Sequence, residues 1–263
     1  MDWLQIIALS LIQGLTEFLP VSSSAHLVLP AQLTDWPDQG LAFDVGVHFG
    51  TLIAVVIYFR VELTGMSRAL INFPAQQAYT PEIDLAFKLA AATLPVVIAG
   101  WLGKTLIEDH LRTVPVIAST TLLFGAALWI ADRRPGTKER PEWSSAILIG
   151  LAQTLALIPG TSRSGITITA ALMLGLSRTS AAKFSFLLSI PAIAGAQLLL
   201  TLDLINGDVD RAWRDLVSGA LIAGLSAYLC IHYFIALVER TGMLPYVIYR
   251  GLLGAILLII YFL

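Results

Sequence analysis

"GLTEFLPVSSSAHLVLP", residues 14–30, sets a carboxylate, three consecutive serines and a histidine inside an apolar stretch. Both ends of the stretch are apolar, and the middle is broken from Pro20 to Ser24. Proline ends or kinks a helix because it has no amide hydrogen and its ring crowds the preceding turn. The arms on either side run about 12–18 residues, short for a bilayer crossing, which takes roughly 20. Broken helices at membrane depth are tolerated where protein buries them or they line a wet cavity. The segment at about 2–33 therefore reads as a re-entrant helix–loop–helix hairpin.

The rest of the chain supplies the membrane context. Of its 263 residues, 57% are hydrophobic and 13% charged, and the mean hydropathy is +0.79. A soluble domain carries roughly twice that charged share. The apolar residues come in blocks of near-membrane length, at about 84–103, 114–131, 216–235 and 246–263. Two more, at about 43–59 and 184–201, carry polar atoms near their start. A second broken segment lies at about 144–176, interrupted from Pro159 to Gly165. The fold class is an all-α polytopic membrane protein with six transmembrane helices and two re-entrant hairpins.

The halves resemble each other. "LIQGLTEFLPVSS" (11–23) parallels "GLAQTLALIPGTS" (150–162) with one residue of slip, and "FGAALWI" (124–130) matches "LGAILLI" (253–259). The division is residues 1–132, a linker at 133–143, and residues 144–263, all within one integral membrane domain. Each half holds one hairpin and three crossings, and an odd number of crossings makes the second half an inverted-topology repeat. Such repeats put the functional site near the midplane, between the broken segments. Arg60, Arg68, Arg133, Arg134, Lys138, Arg140, Arg178, Lys183 and Arg240 fall on one side, against Lys104, Arg112, Arg211 and Arg214 on the other. The positive-inside rule makes the first side cytoplasmic. The linker, "DRRPGTKERPEW" with Asp132, reads as a solvated cytoplasmic loop. The start, Met1-Asp2-Trp3, lacks a basic n-region, so no removable signal peptide is expected. Tryptophans at 36, 101, 129, 143 and 213 fall near span ends, as interfacial anchors do.

Polar residues in such a chain need a reason. Gln13 and Glu17 are four apart and share a helix face. Ser22, Ser23 and Ser24 stand where a second helix starts, where hydroxyls and free backbone N–H groups converge into an anion site. His26 follows three residues after Ser23, on the same side. The serines could merely cap a helix, and for Ser24 alone capping is favoured. Glu17 needs more, because an unpaired carboxylate at membrane depth costs several kcal/mol. The second cluster is "PGTSRSG" (159–165). Gly160 and Gly165 allow a bend and a close approach to a ligand. Thr161, Ser162 and Ser164 add hydroxyls, and Arg163 offers a planar fork suited to phosphate oxygens. An Arg163–Glu17 ion pair is the structural alternative, and it brings the same two clusters together. The loop lacks the Gly-Lys-Ser/Thr ending of a P-loop.

Other polar residues are weaker candidates. Asp44 and His48 share a face at the outward start of a crossing and would line the cavity mouth. Arg250 lies inside the last crossing, needs a partner or a snorkelling route, and reads as structural. Cys230 reads as packing, and as the chain's single cysteine it excludes an internal disulfide and a cysteine metal cluster. No H-x-x-x-H spacing occurs, and nothing suggests nucleic-acid binding.

The clusters fit phosphoryl transfer, which needs charge neutralised on the phosphate oxygens and a positioned nucleophile. Arg163 and the loop amides would hold the anion. Glu17, with Gln13, would hold a divalent cation, Mg2+ or Ca2+, bridging phosphate oxygens. Ser23 would attack with His26 as proton acceptor, or His26 would attack directly. The depth of the site suggests a substrate whose tail stays in the bilayer. A lipid-phosphate transporter or flippase is the main alternative, since it uses the same architecture and anion site. A carrier needs no nucleophile, and Ser23 with His26 favours the enzyme.

"GLTEFLPVSSSAH" and "PGTSRSG", at this separation in an apolar chain of this length, resemble the two signature motifs of the bacterial undecaprenyl-diphosphatase family, also called the bacitracin-resistance family. "FDVGVHFGTLIAVVIYF" and "YRGLLGAILL" extend the resemblance over nearly the whole chain. The resemblance implies hydrolysis of undecaprenyl diphosphate, a polyprenyl diphosphate lipid, to the monophosphate and inorganic phosphate. It places that reaction at the outer face of the bacterial cytoplasmic membrane. There it would recycle the lipid carrier for cell-wall (peptidoglycan) synthesis and confer resistance to bacitracin. It implies a divalent-cation requirement, a catalytic set of Glu17, Ser23, His26 and Arg163, and supporting roles for Ser22, Thr161 and Ser162. Many relatives have glutamate where this chain has Gln13, and Ser-Ser-Thr-Gly-His where it has Ser-Ser-Ser-Ala-His. The first difference removes a charge from the metal site; the second changes little. The oligomeric state is left open, a homodimer included.

Overall fold

The computed structural model describes residues 1–23, 25–27, 30, 36–37, 39–76, 78–111, 113–206 and 213–262. Ser24, Arg112 and Arg211 lie outside the described residues. Helix α1 (Trp3–Thr16) is followed by a break and a second helical stretch at residues 23 and 25–27. Then come α2 (Gly40–Tyr58), α3 (Arg60–Gln76), α4 (Pro81–Leu106), a short π-helical turn (Ile107–Leu111) and α5 (Val114–Asp132). After the linker come α6 (Trp143–Gln153), a 3-10 turn (Thr154–Leu157), α7 (Arg163–Met173), α8 (Arg178–Asn206), α9 (Trp213–Thr241) and α10 (Leu244–Phe262).

Among the described residues six helices, α2, α4, α5, α8, α9 and α10, are long and apolar enough to cross a membrane. These are the six expected crossings. Several begin earlier than the apolar blocks, because polar or charged first turns such as Pro81-Glu82 and Arg178 suit a helix start but fail a hydropathy criterion. Helix α1 spans about 21 Å and α6 about 16 Å, both short of the roughly 30 Å hydrocarbon core. Asp2 caps α1 by accepting from the Gln5 amide at 2.7 Å. Helix α3 was not anticipated. It is too polar for a hydropathy signal, and it is fixed by Leu63 and Met66, which join a core cluster with Leu85 and Leu89 of α4.

Packing is broadest between α2 and α9. Their backbones nearly touch: a Cβ on Gly50 would lie 2.0 Å from the Ala220 carbonyl oxygen. Small residues permit such approach, and in lipid close packing is the main source of helix association. Further contacts pair α10 with α5, α1 with α9, α4 with α6 and α2 with α8. The main core gathers Phe18, Phe59, Phe186 and Phe234 at the centre. Cys230 is buried, its thiol 3.2 Å from the Leu15 carbonyl oxygen.

The two ends of the bundle are tied differently. At one end the Met1 amine bonds Asp215 at 2.9 Å. At the other, Asp132 accepts from Arg178 Nε at 2.6 Å and from the Met243 amide at 2.9 Å. This joins the end of α5 to the starts of α8 and α10. The linker is exposed for most of its length, as expected, but it is also anchored. The Lys138 amide donates to the Gly175 carbonyl, and the Lys138 carbonyl accepts from Ser177, both at 3.0 Å. Glu139 accepts from Ser180 Oγ at 2.8 Å.

Candidate active site

The break after α1 and the turn before α7 meet at the centre of the bundle. Arg163 Nη2 donates to Glu17 Oε1 at 2.9 Å, across 146 positions of sequence. The other carboxylate oxygen, Oε2, accepts from Ser23 Oγ at 2.7 Å and from Gln13 Nε2 at 3.0 Å. The spacing of Gln13 and Glu17 thus works as the helix period predicts. The Arg163 guanidinium also lies 5.8 Å above the Phe18 ring, and Phe18 meets Phe186 edge to face. A buried aromatic floor therefore fixes the fork from below.

Two described residues other than glycine have positive φ, Ser22 at 74° and Ser162 at 70°. Each is the residue just before the second helical arm of its broken segment. A non-glycine residue in this region costs of order 1–3 kcal/mol unless its surroundings enforce it. Enforcement is visible at both. The Ser162 side chain caps α7, accepting from the Gly165 amide at 3.1 Å. The Ser22 carbonyl is held by His26 Nδ1 at 2.7 Å.

Arg250 ties the two turns together. It is fully buried and has no carboxylate partner among the described residues. Instead its guanidinium donates to five backbone carbonyls: Thr121 at 3.0 Å, Pro20 at 3.1 Å, Thr161 at 3.0 Å, Gly160 at 3.1 Å and Thr120 at 3.4 Å. Pro20 belongs to the first broken turn, Gly160 and Thr161 to the second, and the threonines to α5. Ser164 adds a second tie, donating to the Leu19 carbonyl at 2.7 Å.

A cavity of about 290 Å³ opens beside the ion pair. Its polar wall is Glu17, Ser22, Ser23, His48, Ser162, Arg163 and Gln197. Its apolar wall runs along α8 to Leu200, with Val96 of α4. Of the residues singled out in the sequence, Glu17, Ser22, Ser23, His48, Ser162 and Arg163 line this cavity, and Asp44 does not. Gln13 stands behind Glu17, fully buried. Gly160, Thr161 and Ser164 do not line it. The close approach of Gly160 is to α5, not to a ligand: at φ 88°, a Cβ there would lie 2.4 Å from the Ile117 carbonyl oxygen.

His26 also departs from expectation. Its ring does not line the cavity, and Nε2 is 2.6 Å from the Tyr249 hydroxyl, with the two rings stacked. Spacing put it on the face of Ser23, but a partner from α10, 223 residues away, turns it elsewhere. Tyr249 and Gln197 were missed. Gln197 carried a signal, as a lone amide within the apolar run of α8, whereas Tyr249 carried none.

A hard divalent cation takes six or more oxygen ligands, and Mg2+ is commonly held by one or two carboxylates with substrate phosphates supplying others. Among the described residues no three His, Cys, Asp or Glu side chains gather. The chain offers Glu17 and, on the amide beside it, Gln13 Oε1, a buried acceptor with no hydrogen-bond partner. That donor set fits a cation held chiefly by diphosphate oxygens.

Comparison with known proteins agrees in extent. Residues 6–256 match the model of the family described as bacitracin resistance protein BacA. A protein from Alcanivorax borkumensis named undecaprenyl-diphosphatase is 55% identical over 261 residues, covering 98% of each chain.

Proposed function

Because the chain belongs to the bacitracin resistance protein BacA family, we propose that it hydrolyses undecaprenyl diphosphate to undecaprenyl phosphate and inorganic phosphate. The observation that carries the reading is Glu17, which binds Arg163 through one oxygen and Ser23 through the other at the wall of one cavity. A carrier site needs the anion-binding arginine alone. A hydroxyl donating to a buried carboxylate is the arrangement of a nucleophile and its base.

In this reading Arg163 receives the terminal phosphate and shares its donors between that anion and Glu17. Glu17 Oε2 takes the proton as Ser23 Oγ attacks the terminal phosphorus. Helix α7 starts at Arg163, on the cavity wall, and a helix start favours the negative charge that develops there. Glu17 and Gln13 Oε1 would be the protein's share of a Mg2+ or Ca2+ site, which would supply charge neutralisation to the diphosphate. His26 acts on the turn: neutral, with its proton on Nδ1, it holds the Ser22 carbonyl while Tyr249 donates to Nε2.

The outward-facing inverted repeat belongs to the same proposal. Packing supports it by exchange: α1 lies on α9 as α6 lies on α4, and α2 meets α9 as α8 meets α4. The paired positive φ values at Ser22 and Ser162 support it again. The cavity wall climbs α8 toward Leu200, away from the Asp132 end where most arginines lie, which favours opening to the periplasmic side of the cytoplasmic membrane. Recycling of the lipid carrier for cell-wall synthesis and bacitracin resistance follow from such an activity.

Phosphate release from undecaprenyl diphosphate by the purified protein in detergent tests the reading. Wild type with added Mg2+ or Ca2+ releases phosphate, and chelation stops it. Ser23→Ala lowers kcat by at least about 10³-fold. A Ser23→Ala protein turning over at the wild-type rate removes Ser23 as nucleophile.

A further inference from the structure

The reaction described above leaves one ionisable residue of the cavity wall without a task. His48 lines the cavity from α2. Its ring is anchored from behind, with Nδ1 2.8 Å from the Asp44 carbonyl oxygen one turn earlier. A carbonyl oxygen only accepts, so in the neutral ring Nδ1 carries the proton and Nε2 keeps its lone pair. Among the described residues no hydrogen bond reaches Nε2. The ring is partly exposed, on the cavity side.

His26 is the opposite case. Both of its ring nitrogens are engaged, by Ser22 and Tyr249, and its ring is absent from the cavity wall. A general base must present an open lone pair within reach of the proton it takes. On that criterion we infer that His48, not His26, is the imidazole that exchanges protons with the reacting groups, accepting one from the water that hydrolyses a phosphoseryl intermediate. The inference rests on the phosphatase reading and extends it to the second half-reaction.

The steps balance. In the first, Ser23 Oγ bonds to the terminal phosphorus and the anhydride P–O bond breaks. Undecaprenyl phosphate leaves with the bridging oxygen, and the serine proton sits on Glu17. In the second, a water oxygen bonds to that phosphorus and one water proton passes to His48 Nε2. The P–Oγ bond breaks, and Glu17 returns its proton to Ser23. Inorganic phosphate leaves, and the imidazolium gives its proton to it or to bulk water.

The charged groups around His48 are engaged with partners of their own. His48 shares the cavity wall with Glu17 and Arg163, which are paired to each other. The wall from α8, Ala192 to Leu200, and Val96 of α4 carry no charge. On its own helix, Asp44 accepts from Gln39 Nε2 at 3.1 Å. On α9, Asp215 is taken by the Met1 amine. The charges of α3 begin at Arg60, about 18 Å farther along the helix direction.

The test is steady-state and pre-steady-state kinetics on the full-length protein in detergent, with undecaprenyl diphosphate and Mg2+. His48→Gln keeps a polar side chain of similar reach but does not titrate. It is expected to lower kcat at neutral pH by about 10²-fold or more, with KM within about threefold. A burst of one undecaprenyl phosphate per enzyme precedes slow phosphate release, and phosphoenzyme can be trapped. His48→Ala, checked for monodispersity, regains kcat with added free imidazole. The inference is overturned if His48→Gln keeps the wild-type kcat, if only KM changes, or if imidazole restores nothing to folded His48→Ala. Wild type that releases no phosphate is a different failure, that of the phosphatase reading itself.

Discussion

Glu17 concentrates the chemistry of a single residue. A carboxylate this buried needs charge-assisted partners, and it has a guanidinium, a hydroxyl and an amide. Arg163 matters through its fork, so a lysine is a poor substitute even with the charge kept. Arg163→Lys is expected to lower kcat by about 10²-fold, read by phosphate release at saturating substrate. Gln13 gives a prediction of opposite sign. Gln13→Glu places a second carboxylate against Glu17, which repels it without a cation and binds a cation more tightly with one. On the proposed cation role, the half-saturating Mg2+ or Ca2+ concentration falls. The thermal midpoint, measured without cation, falls as well.

At the scale of elements, two short helices are built to stop. Pro20 and Pro159 end the first arms, and a serine at positive φ opens each second arm. The strain is local and is held by hydrogen bonds from His26 and Gly165. The crossings do the opposite work, offering a rigid wall. Helices α2 and α9 meet so closely at Gly50 that the side chain of any other residue must displace a backbone. Gly50→Ala is expected to cost about 1–3 kcal/mol, and Gly50→Leu to prevent recovery of monodisperse protein. Thermal unfolding followed by size-exclusion chromatography in detergent checks both. Since α2 also carries His48, Gly50→Ala should lower kcat together with the midpoint.

For the whole molecule, the decisive feature is that both halves are needed for one site. The ion pair joins the first half to the second, and Arg250 of the last crossing holds carbonyls from both broken turns. Removing that guanidinium takes a donor from five carbonyls, most of them buried. Arg250→Met is expected to destabilise by about 3 kcal/mol or more, seen as a lowered thermal midpoint. The phosphate-release rate should fall further than the folded fraction does, because the two turns lose their common brace. At the bundle end, the Asp132 contacts to Arg178 and Met243 show the same economy, one side chain fixing three helices.

The sequence by itself determined the solvent and the crossings, because burying apolar residues in lipid is a property of composition and length. It also determined where the chain must break, since Pro20, Pro159 and the serines beside them act within a turn or two. The meeting of Glu17 with Arg163 was legible for a related reason: an isolated charge at that depth is too costly, and few partners were on offer. Tertiary structure alone decided that His26 does not face the cavity. His26 and Ser23 share a helix face by periodicity, yet Tyr249 turns His26 aside, and His48 arrives on a different helix. It alone also decided that Gly160 packs on α5 and that Arg250 is satisfied by carbonyls rather than by a carboxylate. These choices depend on contacts between residues up to 230 positions apart, and no local pattern encodes a distance of that kind.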